Sequence, residues 1–248
     1  MMTGTPKYKI LSSSSLKIIA MLSMLIDHAA LMFMSYDATY HEPYFSVGKI
    51  GISNYFLCRN IIGRLAFPIF AFLIVEGFHH TKSHTRYARN LLLFAIISII
   101  PWNLAHGNIL YHSSQNVLFT LFMGVVAMSQ IDKITRYHSQ HNSLPPIPTL
   151  LLVTELFLIQ LVHLDYGTVG VIYIILLHIL KNNTLNQFLA TLATFTYSKF
   201  SRFNFLAYIP ISMYNGRRGF IKGKVSKYLM YTFYPAHILI LWAISQFL

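Results

Sequence analysis

The stretch LKIIAMLSMLIDHAALMFM, Leu16 to Met34, decides how this chain is read. It is apolar except for Lys17, Ser23 and an adjacent acid–base pair, Asp27-His28. As a helix rising about 1.5 Å per residue, it carries Asp27 roughly 15 Å beyond Lys17, near the middle of a hydrocarbon core about 30 Å thick. A carboxylate at that depth is costly unless it is paired or functional. The chain has only seven acidic residues, so the pair is a candidate functional site from the outset.

Composition places the surrounding fold in a membrane. Of 248 residues, 55% are apolar and 10% charged, and the mean hydropathy is +0.53, far from an ordinary soluble domain. The polar first fifteen residues and the lack of a small-residue cleavage site before Asp27 argue against a cleaved signal peptide. A single cysteine, Cys58, excludes an intrachain disulfide framework and a cysteine-rich metal site. The net charge of +12 is distributed between apolar spans instead of forming one stripe, so it reads as a topology signal and not as a nucleic-acid footprint.

About nine membrane segments follow: Leu16–Met34, Ile61–Phe78, Leu91–Leu104, Asn116–Met128, Leu150–His163, Thr168–Leu180, Leu185–Tyr197, Phe203–Tyr214 and Tyr228–Phe247. Several are shorter than a straight span of about 20 residues, which calls for tilt, polar flanks or re-entrant shielding. Lys199 and Arg202 separate the two segments between 185 and 214. Assigned to alternate loops, the basic residues divide fourteen to four. The richer side carries Lys7, Lys9, Lys17, the cluster from Lys82 to Arg89, Lys133, Arg136, Lys181 and the cluster from Arg217 to Lys227; the poorer carries Lys49, Arg59, Lys199 and Arg202, and Arg64 lies inside a helix. The positive-inside rule then sets the N-terminus in the cytoplasm and the C-terminus outside. The expected fold is an all-α polytopic bundle forming one integral membrane domain, with a flexible cytoplasmic loop at Tyr137 to Pro148.

Polar residues inside these segments are the candidate chemistry. His237 lies ten residues beyond Lys227 in the last span, so it reaches the same depth as Asp27 and His28 on a second helix. Pro235, two residues earlier, loosens the backbone there. Asp27 and His28 point about 100° apart, so Asp27 could orient another histidine, such as His237, while His28 faces the reacting group. Arg64, in NIIGRLAFPIFAFLIVEGFHHT, could neutralise Asp27 or hold an oxyanion. Glu76 lies about 18 Å further along that helix and serves a different depth, in catalysis or in pairing with Lys82 or Arg86.

Other polar groups carry less. Asp165-Tyr166-Gly167 reads as an outer turn. Asn103, His106, Asn108 and Asn116 gather near another, where they could hydrate a substrate entrance. Glu155 is a buried carboxylate with no assigned partner. Lys82, Arg86, Arg217 and Arg218 could capture a phosphorylated cofactor, although positive-inside retention explains such loops as well. No P-loop, dinucleotide fingerprint, HExxH or GxSxG motif occurs, and the twelve histidines show no diagnostic metal spacing.

The strings at Leu16–Met32, Gly63–Thr81 (GRLAFPIFAFLIVEGFHHT) and Tyr231–Ala243 (YTFYPAHILILWA), with the DYG turn, resemble the TraX family, whose namesake N-acetylates conjugative pilin. The resemblance covers nearly the whole chain, with Ser129 to His163 outside the matched motifs. It implies a bacterial inner-membrane acetyltransferase related to the multi-span membrane acyltransferases that use cytosolic acetyl-CoA. It implies His28 and Asp27 as the catalytic pair, with Arg64 and His237 completing the site. The acceptor stays open between a pilin amine, another pilus subunit and a surface sugar hydroxyl, and so does direct transfer against an acyl-histidine. Two other readings stand beside it. One is a proton-coupled transporter relaying through Asp27, His28 and Glu76, for which an internal repeat is the usual mark and none is visible. The other is a pilus-assembly scaffold without catalysis.

Overall fold

The computed structural model describes residues 8–48, 50–107, 112–196 and 202–247. Lys7, Lys49, Asn108, Tyr197 and Lys199 lie outside them, as do the side chains of Arg202, Lys224 and Lys227. The described chain is almost entirely helical. Its helices are α1 (Ser13–Phe33), α2 (Asn54–His80), α3 (His84–Ile97), α4 (Ile99–Ala105), α5 (Val117–His141), α6 (Pro146–Val162), α7 (Gly167–Ile179), α8 (Thr184–Thr196), α9 (Phe203–Ser212) and α10 (Gly223–Ser245). The exception is a short antiparallel pair, Phe45–Val47 with Ile50–Ile52. Four of these helices (α1, α2, α5 and the Tyr228–Ser245 part of α10) are long and apolar enough to cross a membrane, or five spans if α3 and α4, bent by 42°, count as one. Helices α6, α7 and α9 are apolar but shorter.

Helices thus occupy each of the nine expected segments, with shifted ends. Helix α1 begins at Ser13, before Leu16, because the Ser12 hydroxyl caps it by accepting from the Ser15 N–H. Helix α5 runs to His141, which corrects the expected loop from Tyr137 to Pro148. Asn142 closes that helix in the left-handed region at φ 50°, and Pro146 opens the next at its first turn, leaving four residues between them. Helix-terminating chemistry at both ends, and not flexibility, sets this connection.

Residues up to Leu73 and from Thr191 form one compact unit, and Ile74–Ala190 a second. In the first, α2 departs from regular geometry. A π-helical stretch, Leu57–Ile62, runs into a 3₁₀ turn, Gly63–Leu65, before the α-helix resumes. Carbonyls disturbed by such a change need new donors in an apolar layer. Ser23 of α1 supplies one, its hydroxyl lying 2.6 Å from the Ile62 carbonyl and 3.2 Å from that of Gly63. The two helices meet closely because Gly63 has no side chain: a Cβ there would stand 2.7 Å from Asp27 Cβ and 2.8 Å from its Cγ. The residues before α1 pair with the Met213–Arg218 segment, Leu11 N–H donating to Met213 O at 2.9 Å and Ser13 N–H to Arg217 O at 2.8 Å.

The second unit packs α5 against α4's neighbour α3 and against α6 and α7. Ala127, Ile159, Leu164 and Val171 form a buried cluster there. Gly124 brings α5 onto Ile174, whose Cγ2 would lie 3.0 Å from an added Cβ, the small-residue contact typical of packed membrane helices. At the α3–α4 bend the Ser98 hydroxyl donates to Phe94 O at 2.6 Å, and Asn116 Nδ2 donates to Ala95 O at 2.9 Å.

Gly63→Ala should destabilise the purified protein by about 1–3 kcal/mol through overpacking against Asp27. A thermal melt in detergent or nanodiscs checks it. An unchanged midpoint would show that α1 and α2 do not need this approach.

Candidate functional site

Two neighbouring polar assemblies occupy the first unit, and they divide the expected residues differently from the sequence reading. The first is an ion pair. Arg59 Nη1 donates to Asp27 Oδ2 at 3.0 Å and reaches the Asp27 backbone carbonyl at 3.4 Å. The side chains are only 18% and 16% exposed, so the charges sit largely out of water. Arg64 also exerts its positive field on Asp27. Asp27 Oδ1, the oxygen turned toward Gly63, is buried and has no hydrogen-bond partner among the described residues.

The position of Arg59 corrects the sequence reading, which set it in an outer loop; it adds a direct ion-pair partner to the Arg64 field expected at Asp27. Arg59 lies inside α2, in its π stretch. A π turn bonds residues five apart instead of four, a change in register that hydropathy does not register. The available signal was the spacing of two arginines five residues apart in CRNIIGR, on either side of the helix-loosening glycine.

The second assembly joins the two histidines expected at one depth. His28 Nδ1 and His237 Nε2 are 2.7 Å apart, in α1 and α10, and both side chains are buried. The rings lie nearly parallel, with centroids 5.0 Å apart. Phe233 stacks on His237 at 4.6 Å, while Tyr234 packs edge-on to both imidazoles. His237 Nδ1 lies 2.7 Å from the Phe233 carbonyl. A carbonyl only accepts, so Nδ1 carries the proton and Nε2 of a neutral His237 accepts from His28 Nδ1–H. The same logic leaves His28 Nε2 with a lone pair in place of a proton. His237 is therefore oriented by His28 and a carbonyl, and not by Asp27 as one expectation had it.

Pro235 lies within α10 and the helix continues through it. Having no N–H, it gives Tyr231 no helical hydrogen bond from its own position, two residues before the imidazole that meets His28.

The expected phosphate-binding residues stay at the surface. Arg217 and Arg218 are exposed and belong to the segment tied to the start of α1, while Lys82 and Arg86 are exposed around the α2–α3 turn of the second unit. Glu76 lies 4.0 Å from His80 Nδ1. Asp165 to Gly167 form a turn, with Tyr166 and Gly167 at φ 60° and 44° and the Thr120 hydroxyl donating to Asp165 O. Asn116 and His106, expected at a hydrated entrance, serve structural bonds instead: Asn116 caps α5 and holds Ala95 O, and His106 Nδ1 contacts Trp102 O at 2.8 Å. Among the described residues no group of three or more His, Cys, Asp or Glu side chains is arranged to hold a metal.

An all-but-entirely helical chain with several apolar spans and ionisable groups buried inside them is a multi-pass membrane protein. Comparison with known families assigns it further: the TraX protein family matches residues 12–245, and the chain belongs to that family. It is also 27% identical over 265 residues to the "Probable fimbrial assembly protein FimC, serogroup H1" of Dichelobacter nodosus, covering 96% of this chain and 97% of the relative. No solved structure matches it.

Replacing Arg59 alone by Leu leaves Asp27 buried without its ion-pair partner and should cost on the order of 3 kcal/mol. The double replacement Arg59→Leu with Asp27→Leu should be less destabilising than Arg59→Leu alone. Thermal or denaturant unfolding of the four proteins of the cycle measures the coupling, and additive effects would sink the pairing.

Proposed function

We propose that this protein is an inner-membrane acetyltransferase that moves an acetyl group from cytosolic acetyl-CoA to an acceptor at or beyond the membrane. The observation that carries the reading is the buried His28–His237 contact beside the Asp27–Arg59 ion pair. It supplies a buried imidazole, fixed in orientation by a second histidine, beside two arginines whose fields converge on one carboxylate. Family membership and the fimbrial name of the Dichelobacter nodosus relative favour a pilin amine as acceptor; a surface sugar hydroxyl is the chemical alternative.

The chemistry follows from the tautomers. As the acceptor nitrogen or oxygen attacks the thioester carbonyl, its proton passes to His28 Nε2, and His237 holds that imidazole through Nδ1. The carbon–sulfur bond breaks, and the proton returns to the departing CoA thiolate. An acyl-histidine on His28 would divide the same balance into two steps. Arg64 stabilises the thioester oxyanion, and Asp27 with Arg59 fixes the local field. The apolar surround strengthens these interactions and excludes hydrolytic water. Arg217 and Arg218 of the first unit, and separately Lys82 and Arg86 of the second, are surface cations proposed as candidates to meet the CoA phosphates. The proposal includes the nine-segment topology as one integral domain, with a cytoplasmic N-terminus, supported by the fourteen-to-three division of basic residues that is left once Arg59 is counted inside α2.

Membranes carrying the wild-type protein should transfer label from radiolabelled acetyl-CoA to a CoA-free product. His28→Ala should reduce that transfer by at least about 10²-fold, the scale of a lost general base, with membrane insertion intact. Near-normal transfer by the variant would overturn the assignment, and the labelled species identifies the acceptor.

Proton-coupled transport is the second reading. Glu155 favours it: the residue is buried in α6 and neither carboxylate oxygen has a hydrogen-bond partner among the described residues. On that reading Glu155→Gln abolishes uptake driven by a pH gradient in vesicles. Vesicles that transfer acetyl groups and move no protons dispose of it.

A further inference from the structure

The second unit contains a chain of four polar side chains that the proposed transfer does not use. His79 lies in the last turn of α2, His178 in the last turn of α7 and Asp132 in α5, and Lys181 follows α7 in the turn before α8. His178 Nε2 is 2.9 Å from Asp132 Oδ1, and His178 Nδ1 is 3.2 Å from His79 Nε2. His79 Nδ1 in turn faces Lys181 Nζ at 3.4 Å. His178 is buried, His79 and Asp132 are half-buried, and Lys181 is exposed.

Donor and acceptor rules give this chain one direction. An ionised Asp132 only accepts, so His178 Nε2 carries a proton and Nδ1 of the neutral ring accepts. His79 then donates through Nε2, which leaves a lone pair on its Nδ1, the atom that meets the Lys181 ammonium. Every proton points from Lys181 toward Asp132. The two imidazoles lie within 6° of parallel at 4.9 Å between centroids. Buried Phe78 holds the array from the side, edge-on to His178 at 5.5 Å and stacked on His84 at 3.8 Å.

This is the order of groups that activates a nucleophile: an amine, a base within reach of it, a second group orienting the base, and a carboxylate at the end. We propose that Lys181 is an acyl-acceptor site, its amine made reactive toward acyl thioesters by the His79–His178–Asp132 chain. Lys181 Nζ, after losing one ammonium proton to water, attacks the thioester carbonyl carbon. A nitrogen–carbon bond forms and the carbon–sulfur bond breaks. The proton that nitrogen must shed as the amide forms goes to His79 Nδ1. Asp132 stabilises the imidazolium charge through His178, and the thiolate takes the proton when the array resets. The product is an N-acyl Lys181 that has lost its positive charge and no longer donates an ammonium proton to His79. The inference shares with the proposed function only the acyl thioester as donor, and it runs through none of the first unit's residues.

Lys133 and Lys222 are exposed lysines to which no such chain has been assigned, and they serve as internal standards. The full-length protein in nanodiscs is incubated with carbon-13 acetyl-CoA, and acetylation of each lysine is followed by peptide mass spectrometry. Lys181 should be labelled at least tenfold faster than Lys133 and Lys222, within the range that one general base supplies. Asp132→Asn should bring Lys181 down to the rate of the standards; His79→Gln, at a half-exposed helix end, serves the same purpose if the first variant does not fold. Labelling of wild-type Lys181 no faster than the standards overturns the proposal without any variant, as does full-rate labelling in a folded Asp132→Asn or His79→Gln protein. The His28→Ala background separates this from the first reading. Lys181 labelling that persists there supports direct attack, whereas its disappearance means that the acyl group came through His28 and overturns the activation by His79.

Discussion

The packing of α1 against the irregular start of α2 is the constraint on which the first unit rests. A bilayer core offers no water to a disturbed backbone, so each carbonyl released by a change of helical type must find a donor within the protein. The π-to-3₁₀ transition between Leu57 and Leu65 creates that need, and Ser23 meets it at Ile62 and Gly63. The missing Cβ of Gly63 admits Asp27, and the same stretch carries Arg59 to the carboxylate. Backbone repair, close helix approach and charge pairing are thus one contact seen from three sides.

The site beside it separates charge from proton transfer. Asp27, Arg59 and Arg64 make a region of fixed charge, while His28 and His237 form a hydrogen-bonded pair whose tautomers are dictated by the Phe233 carbonyl. An anionic partner on either imidazole would bias it toward the protonated form. Asp27 pairs with arginine and histidine with histidine, so the carboxylate is engaged apart from the two rings. The second unit follows the same backbone rule with different residues. There the bend between α3 and α4 is met by Ser98 and Asn116, so polar residues that looked like an entrance in sequence are fixed in structural bonds.

The readings that succeeded were those carried by local pattern. Apolar runs marked where the helices lie, and offsets of eleven residues from Lys17 and ten from Lys227 brought His28 and His237 to one level. Those inferences need only a rise per residue and a cost for burying charge. The motifs in the first, second and last spans pointed to the family to which the chain belongs. The reading of Tyr137 to Pro148 as a loop failed because prolines were taken as interruptions, whereas Pro146 begins a helix and Asn142 ends one.

The sequence alone therefore determined a chain of apolar helices with ionisable groups set at a common depth, because hydropathy and helical rise are properties of short stretches. Which of those groups touch was decided only by tertiary structure. Arg59 joined Arg64 at Asp27, His28 replaced Asp27 as the partner of His237, and His79, His178 and Asp132 came together from helices far apart in sequence. Each pairing depends on how a helix is rotated and where it crosses its neighbour. Those quantities follow from a π turn, a missing Cβ and the need to satisfy every buried backbone group, none of which a single segment can express.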